Sequence, residues 1–243
     1  MNPVMKELWS LRNDDKAMLL SRFFKTGIGE YGQGDVFLGI SVPNQRKIAS
    51  KHKNVDINII NELLLSKYHE SRLTALLILV LQYEKGDNNT KKEIFDYYVK
   101  MRHRINNWDL VDVTCHKIIG DYVLSHPEHE KLLYKLARSD NLWDKRIAMI
   151  SCFAHIRNEY YELPIGIATI LLYDKHDLIH KAVGWMLREI GKKDVRVLLK
   201  FLDNNAHVMP RTMLRYSIER LDRKEKDYYM AAKTNSKGVS HKK

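Results

Sequence analysis

The stretch NNWDLVDVT, residues 106–114, sets a large indole, Trp108, four residues ahead of a carboxylate, Asp112. On a helix these two side chains share a face. An indole attracts positive charge through its quadrupole, and a carboxylate adds a direct Coulomb attraction, so the pair could hold a cation or stabilise one as it forms. An ionised carboxylate resists burial without a partner, which argues for a groove rather than the core. Trp185 and Arg146 stand in comparable helical stretches, GWMLRE and LWDKRIAMIS. Each residue also has a plain structural reading. A tryptophan at helical spacing fits a core, Asp112 could accept amides in a first helical turn, and Arg146 could stack neighbouring helices.

Helices must carry these residues. Apolar residues recur at helical spacing in RLTALLILVLQY, KEIFDYYVKM, EKLLYKLA, RIAMISCFAHI and RTMLRYSIERL. The five prolines, Pro3, Pro43, Pro127, Pro164 and Pro210, precede or open such stretches, where a missing N–H costs nothing. Glu128 and Glu130 fit a first turn, at the positive end of a helix dipole. A segment containing Gly27, Gly29, Gly32, Gly34 and Gly39 reads as a flexible loop across residues 26–46.

The helical stretches repeat. HESRLTALLI, NNWDLVDVT, LWDKRIAMIS, LIHKAVGWML and VMPRTMLRYS align at Arg72, Asp109, Arg146, Lys181 and Arg211. The intervals, roughly 30 to 37 residues, fit stacked helix pairs of the HEAT or armadillo kind. The expected fold is all-α, a helical-repeat solenoid with one domain over 1–230 and a disordered basic tail over 231–243. Equivalent positions of successive repeats line up in space. Trp108, Asp112, Arg146 and Trp185 are therefore expected to converge on one strip, and Arg72, Arg146, Lys181 and Arg211 to form a positive row able to follow a phosphate backbone. Charges at helix starts can equally tie one repeat to the next.

Composition bounds the partner. The chain has 243 residues, 44% hydrophobic, with a formal charge of +11, which suits a folded protein that binds a polyanion or simply carries a solvated basic surface. Cys115 and Cys152 sit among apolar residues outside any CxxC pair and read as buried free thiols of a reducing compartment. No histidine pattern suggests a metal site, and no apolar run approaches the roughly 20 residues of a membrane span. A cytoplasmic monomer without metal or cofactor is expected, its start lacking a signal-peptide pattern.

The stretches FLGISVPNQR, NNWDLVDVTCHKIIGDYVLSHPE, SDNLWDKRIAMIS and HKAVGWMLREIGKKD resemble the AlkD-type DNA glycosylases, alkylpurine glycosylases built from HEAT-like repeats. The resemblance spans about residues 37–220, and the combination of WDxVD, SDNxWxxR and KAxGWxLRE in that order is what makes it specific. It implies a C-shaped solenoid with double-stranded DNA in a concave basic cleft. By the same resemblance, Trp108, Asp112 and Trp185 match the catalytic cleft and Arg146 its basic residue. Arg46 and Arg188 match contacts to the DNA backbone. The family often shows two tryptophans before the aspartate pair; here the first is Asn107, a position expected to be peripheral. Residues up to Gln33 match poorly, so no DNA contacts are carried over to them.

The implied reaction is hydrolysis of the N-glycosidic bond of N3- or N7-alkylated purines in base excision repair. The lesion is already cationic and leaves without a proton, so no general acid is needed. Asp112 would stabilise charge growing on the deoxyribose and orient water. The resemblance implies sensing from the backbone side, without a pocket for a flipped base. No lysine is placed as a Schiff-base nucleophile, so a monofunctional enzyme is expected. The alternative is a non-enzymatic helical-repeat module that binds damaged or branched DNA, or a protein, through the same face.

Overall fold

The computed structural model describes residues 1–231. The segment 232–243 lies outside them, and with it the tail read as disordered, apart from Ala231, which ends the helix Arg223–Ala231. The fold is all-helical, as the periodicity predicts. Among the described residues the one β-type contact is an isolated bridge between Val36 and Tyr68. No described helix is long and apolar enough to cross a membrane. Both cysteines are buried free thiols.

Contacts group the chain into two units, Met1–Tyr122 and one beginning at Val123. The first centres on the helix His69–Lys85, which packs on Val42–Lys51 and on Ile57–Leu65. Residues 69–80 of the central helix are buried at every position. A helix surrounded on all sides must find internal partners for its polar residues, and this one opens with His69, Glu70 and Arg72. The second unit centres on Asp177–Lys193, packed against Leu142–Ser151, Val195–Asn205 and Arg211–Ser217. Gly184 makes the closest of these contacts possible: a Cβ there would lie 2.6 Å from the Met213 carbonyl and 2.5 Å from Tyr216 Cβ.

The five aligned stretches each contain a helix start, and side-chain caps explain several. Asn107 accepts from the Trp108 amide, Asn141 from those of Trp143 and Asp144, and His176 from that of Leu178. The register between them drifts. Arg72 is the fourth residue of its helix, Asp109 the second, Arg146 and Lys181 the fifth, and Arg211 the first.

The glycine-rich segment is tied down rather than loose. Gly27 donates to Glu30 Oε2 (2.9 Å), Gly29 to Gln33 Oε1 (2.8 Å) and Gly32 to the Lys25 carbonyl (3.0 Å). Beyond it, Leu38, Gly39 and Ile40 aim three successive amides at the Glu70 carboxylate, at 2.9, 2.8 and 3.2 Å. Such an amide nest holds an anion, and the protein fills it with its own. Gly39 is at φ +82°, and a Cβ on it would come within 2.0 Å of the Asn13 carbonyl. That close approach docks the helix Asp14–Phe23, which has no buried residue of its own. Gly39→Ala is expected to cost ~2 kcal/mol or more, read as a lower denaturant midpoint at unchanged m-value. An unchanged midpoint would show that this docking is not tight.

Candidate functional site

Trp108 and Asp112 are the ends of one five-residue helix, Trp108–Asp112. So short a helix has no stability of its own, and its position is set by what surrounds it. Leu110 and Val111 are fully buried beneath it. Thr114, hydrogen-bonded to the buried Tyr98 hydroxyl at 2.7 Å, donates back to the Leu110 carbonyl. A π-helical turn, His116–Gly120, follows, and His116 Nδ1 donates to the Asp112 carbonyl at 3.1 Å.

The two aspartates of WDLVD divide. Asp109 is 8% exposed and turns inward, with Oδ2 at 2.8 Å from His69 Nε2. Asp112 is half-buried and shares its helix face with the half-buried Trp108. One face of the Trp108 indole is already covered. Phe24 stacks on it with centroids 5.1 Å apart, and Phe23 meets it edge-on at 5.9 Å. The stack continues from Phe24 to Phe37 (5.0 Å) and from Phe37 to His69 (4.6 Å).

Beneath the helix lies a buried ionic cluster that was not among the residues expected from sequence to form the site. His69 Nδ1 contacts Asp35 Oδ2 at 3.0 Å, Arg72 Nη2 donates to Asp35 Oδ1 at 2.6 Å, and Asn107 Nδ2 donates to Asp35 Oδ2 at 3.0 Å. Arg72 Nη1 also donates to the carbonyls of Ser66 and Lys67. Asn107, expected to be peripheral, is fully buried, because it joins the start of the Trp108 helix to Asp35. An apolar cavity of about 300 Å³ borders the cluster and is lined by Leu20, Phe24, Phe37, Gln45, His69 and Asp109 among others.

Burial alone would lower the His69 pKa, but the charge and hydrogen bond of Asp109, then the bond to Asp35, raise it to about 9. Burial would raise that of Asp35, yet the bond from His69 and the charge of Arg72 hold it below the ordinary carboxylate value. The folded protein therefore keeps a proton on His69 up to about pH 9, while the unfolded chain releases it near 6.5. The stability this contributes is complete below pH 6.5 and is lost as pH rises through 9, a change of ~3 kcal/mol. Denaturant unfolding of wild type and His69→Gln from pH 6 to 9.5 should show that difference closing with pH; a constant difference would mean a neutral imidazole.

The second unit holds Trp185, whose Nε1 donates to Glu189 Oε1 at 3.1 Å and whose ring lies 6.2 Å from that of Phe153. Arg188 pairs with Glu219. Arg146 is 5% exposed and donates to the Leu178 carbonyl. Lys181 pairs with Asp177 at 2.7 Å, and Arg211 Nη2 donates to the Met230 carbonyl at 2.9 Å. In the first unit Arg72 is 2% exposed, so a phosphate would have to displace Asp35 to reach it. Arg46 is exposed. Of the six expected cations, Arg72 and Arg146 are thus turned into the fold, Arg211 is tied to it, and Arg46 is the one fully at the surface.

The chain is thus an all-helical protein, consistent with a helical-repeat solenoid, in which one short helix carries an indole and a carboxylate over a buried charge cluster. The model of the DNA alkylation repair enzyme family matches residues 4–221, across both units, and the chain belongs to that family. Among solved structures, a predicted DNA alkylation repair enzyme from Enterococcus faecalis shares the fold with a TM-score of 0.69 at 17% identity, over 87% of this chain and 97% of that one. No curated protein matches by sequence.

Proposed function

We propose that the protein is a monofunctional DNA glycosylase that hydrolyses the N-glycosidic bond of cationic N3- or N7-alkylated purines in double-stranded DNA. The observation that carries this reading is the division of labour in WDLVD: Asp109 serves the interior, while Asp112 shares a half-buried face with an indole whose back is supported by Phe24. As the bond breaks, positive charge grows on the deoxyribose. Asp112 stabilises it electrostatically and orients the attacking water. Trp108 holds the sugar beside Asp112 through C–H and cation contacts, and Trp185, in the second unit, is the further aromatic residue we assign to DNA. The base leaves with its alkyl group and no added proton, so neither a general acid nor a pocket for an extruded base is required.

Arg46, Lys181 and Arg188 are the basic residues we assign to the DNA backbone. The ion pairs of Lys181 with Asp177 and of Arg188 with Glu219 can exchange for phosphates, releasing counterions. Arg72, Arg146 and Arg211 instead tie the fold together within their own units, through Asp35, the Leu178 carbonyl and the Met230 carbonyl.

The test is incubation with duplex DNA carrying 7-methylguanine. Free 7-methylguanine should appear, and the strand should break only after alkali treatment of the abasic product. Salt-sensitive binding without release at any enzyme excess would overturn the glycosylase reading in favour of a DNA-binding module.

A further inference from the structure

The charge cluster under the Trp108 helix contains an imidazole with both ring nitrogens facing carboxylates. An ionised carboxylate only accepts hydrogen bonds, so a ring that bridges two of them carries a proton on each nitrogen. His69 meets that condition, with Nδ1 at 3.0 Å from Asp35 and Nε2 at 2.8 Å from Asp109. We propose that His69 is a positioning residue: held as an imidazolium between Asp35 and Asp109, it fixes the helix that presents Trp108 and Asp112. The consequence for catalysis rests on the excision reading above; the bridge itself does not.

His69 reaches the helix by two routes. One is the hydrogen bond to Asp109, the residue after Trp108. The other is the ring stack, in which Phe24 lies 5.0 Å from His69 and 5.1 Å from Trp108. Asp35 adds a third tie, since the oxygen that meets His69 also accepts from Asn107, the residue before Trp108. One ring thus governs both sides of the indole's attachment.

The charges around it balance. Asp35 faces His69 from the loop and Asp109 from the Trp108 helix. Arg72, on the same helix as His69, pairs with Asp35, and Glu70 turns away to the loop amides. Lys16 borders the adjoining cavity, and Arg104 lies near Arg72 and Asp35, donating to the carbonyls of Leu64, Leu65 and Ser66. Two carboxylates thus oppose one imidazolium and one guanidinium at the bridge. Removing the His69 proton sets a lone pair against a carboxylate, and one bridge must open.

Two measurements test this. In protein labelled with ¹⁵N-histidine and free of DNA, His69 should show both ring nitrogens protonated at pH 7.5. The Trp108 indole resonance should move with the same midpoint as His69 above pH 8.5. A neutral His69 at pH 7.5, or a Trp108 signal that ignores its titration, overturns the proposal whether or not the protein releases base.

The second measurement is the single-turnover release of 7-methylguanine from pH 6 to 10, each rate corrected for uncatalysed loss. Wild type should slow as pH rises through about 9. Asp109→Asn should keep a rate within about threefold of wild type at pH 7 and lose the alkaline fall, because an amide can turn to donate to a neutral imidazole. Asp109→Ala should fall about tenfold or more at every pH while DNA affinity holds. Parallel profiles for wild type and Asp109→Asn, or a wild-type rate in Asp109→Ala, would remove the positioning role. If wild type itself releases nothing, the excision reading fails and the spectra alone decide the bridge. If Asp109→Ala does not fold, the wild-type titration still decides.

Discussion

Asp112→Asn should slow single-turnover release of 7-methylguanine by about 10²–10³-fold, the size of effect expected when one preorganised electrostatic stabiliser is removed. The substitution keeps volume and hydrogen-bonding capacity but deletes the charge that opposes the growing oxocarbenium. DNA affinity should stay equal or rise slightly, because a negative group near phosphates has gone. The melting temperature should change little, since Asp112 is half-buried and the helix is held from below by Leu110, Val111 and Asp109. The matched control is Asp109→Asn, which by the bridge argument leaves the pH 7 rate nearly intact. Two neighbouring aspartates of one motif are thereby expected to give opposite results. Equal loss in both variants would mean that the motif acts as a unit. Undiminished release in Asp112→Asn would place the catalytic charge elsewhere.

Some of this was legible in the sequence and some was not, for identifiable reasons. The helices showed because their apolar periodicity, caps and first-turn prolines are local signals. The indole and carboxylate on one face followed from a spacing of four. The positive row followed from treating aligned residues as equivalent. A shift of one residue in register turns a side chain by about 100°, and the helix starts drift by up to four positions. Arg72 and Arg146 point inward, to Asp35 and to the Leu178 carbonyl, while Lys181, at the same fifth position as Arg146, stays half-exposed, so helix position alone does not set the direction.

The buried cluster was harder to see because its members are far apart in sequence: Asp35 lies within the segment between the helices Asp14–Phe23 and Val42–Lys51, His69 opens a helix, and Asn107 and Asp109 flank a tryptophan. A signal did exist. HESR places three ionisable residues at the head of an otherwise apolar run, and charges on a helix buried all round demand partners from elsewhere. The glycine segment misled in the same way. Its composition suggested a flexible loop, whereas Gly39 permits the close packing that brings Asp35 and Phe37 to His69.

Asp35 is the residue whose loss should unfold the first unit most readily. Its two oxygens meet His69, Arg72 and Asn107, and it is 8% exposed. Asp35→Ala leaves an imidazolium and a guanidinium buried with Asp109 as their only carboxylate partner in the cluster, and an uncompensated buried charge costs ~3–5 kcal/mol. The loss should appear as a large drop in denaturant midpoint at neutral pH. It should shrink as pH rises through about 9, because His69 can then shed its charge. The double variant Asp35→Ala/Arg72→Met removes the surplus charge and leaves the His69–Asp109 pair balanced. It should therefore be more stable than Asp35→Ala alone, although it has lost more hydrogen bonds. Additive destabilisation in the double variant would show that the hydrogen bonds, and not charge balance, hold the platform beneath Trp108.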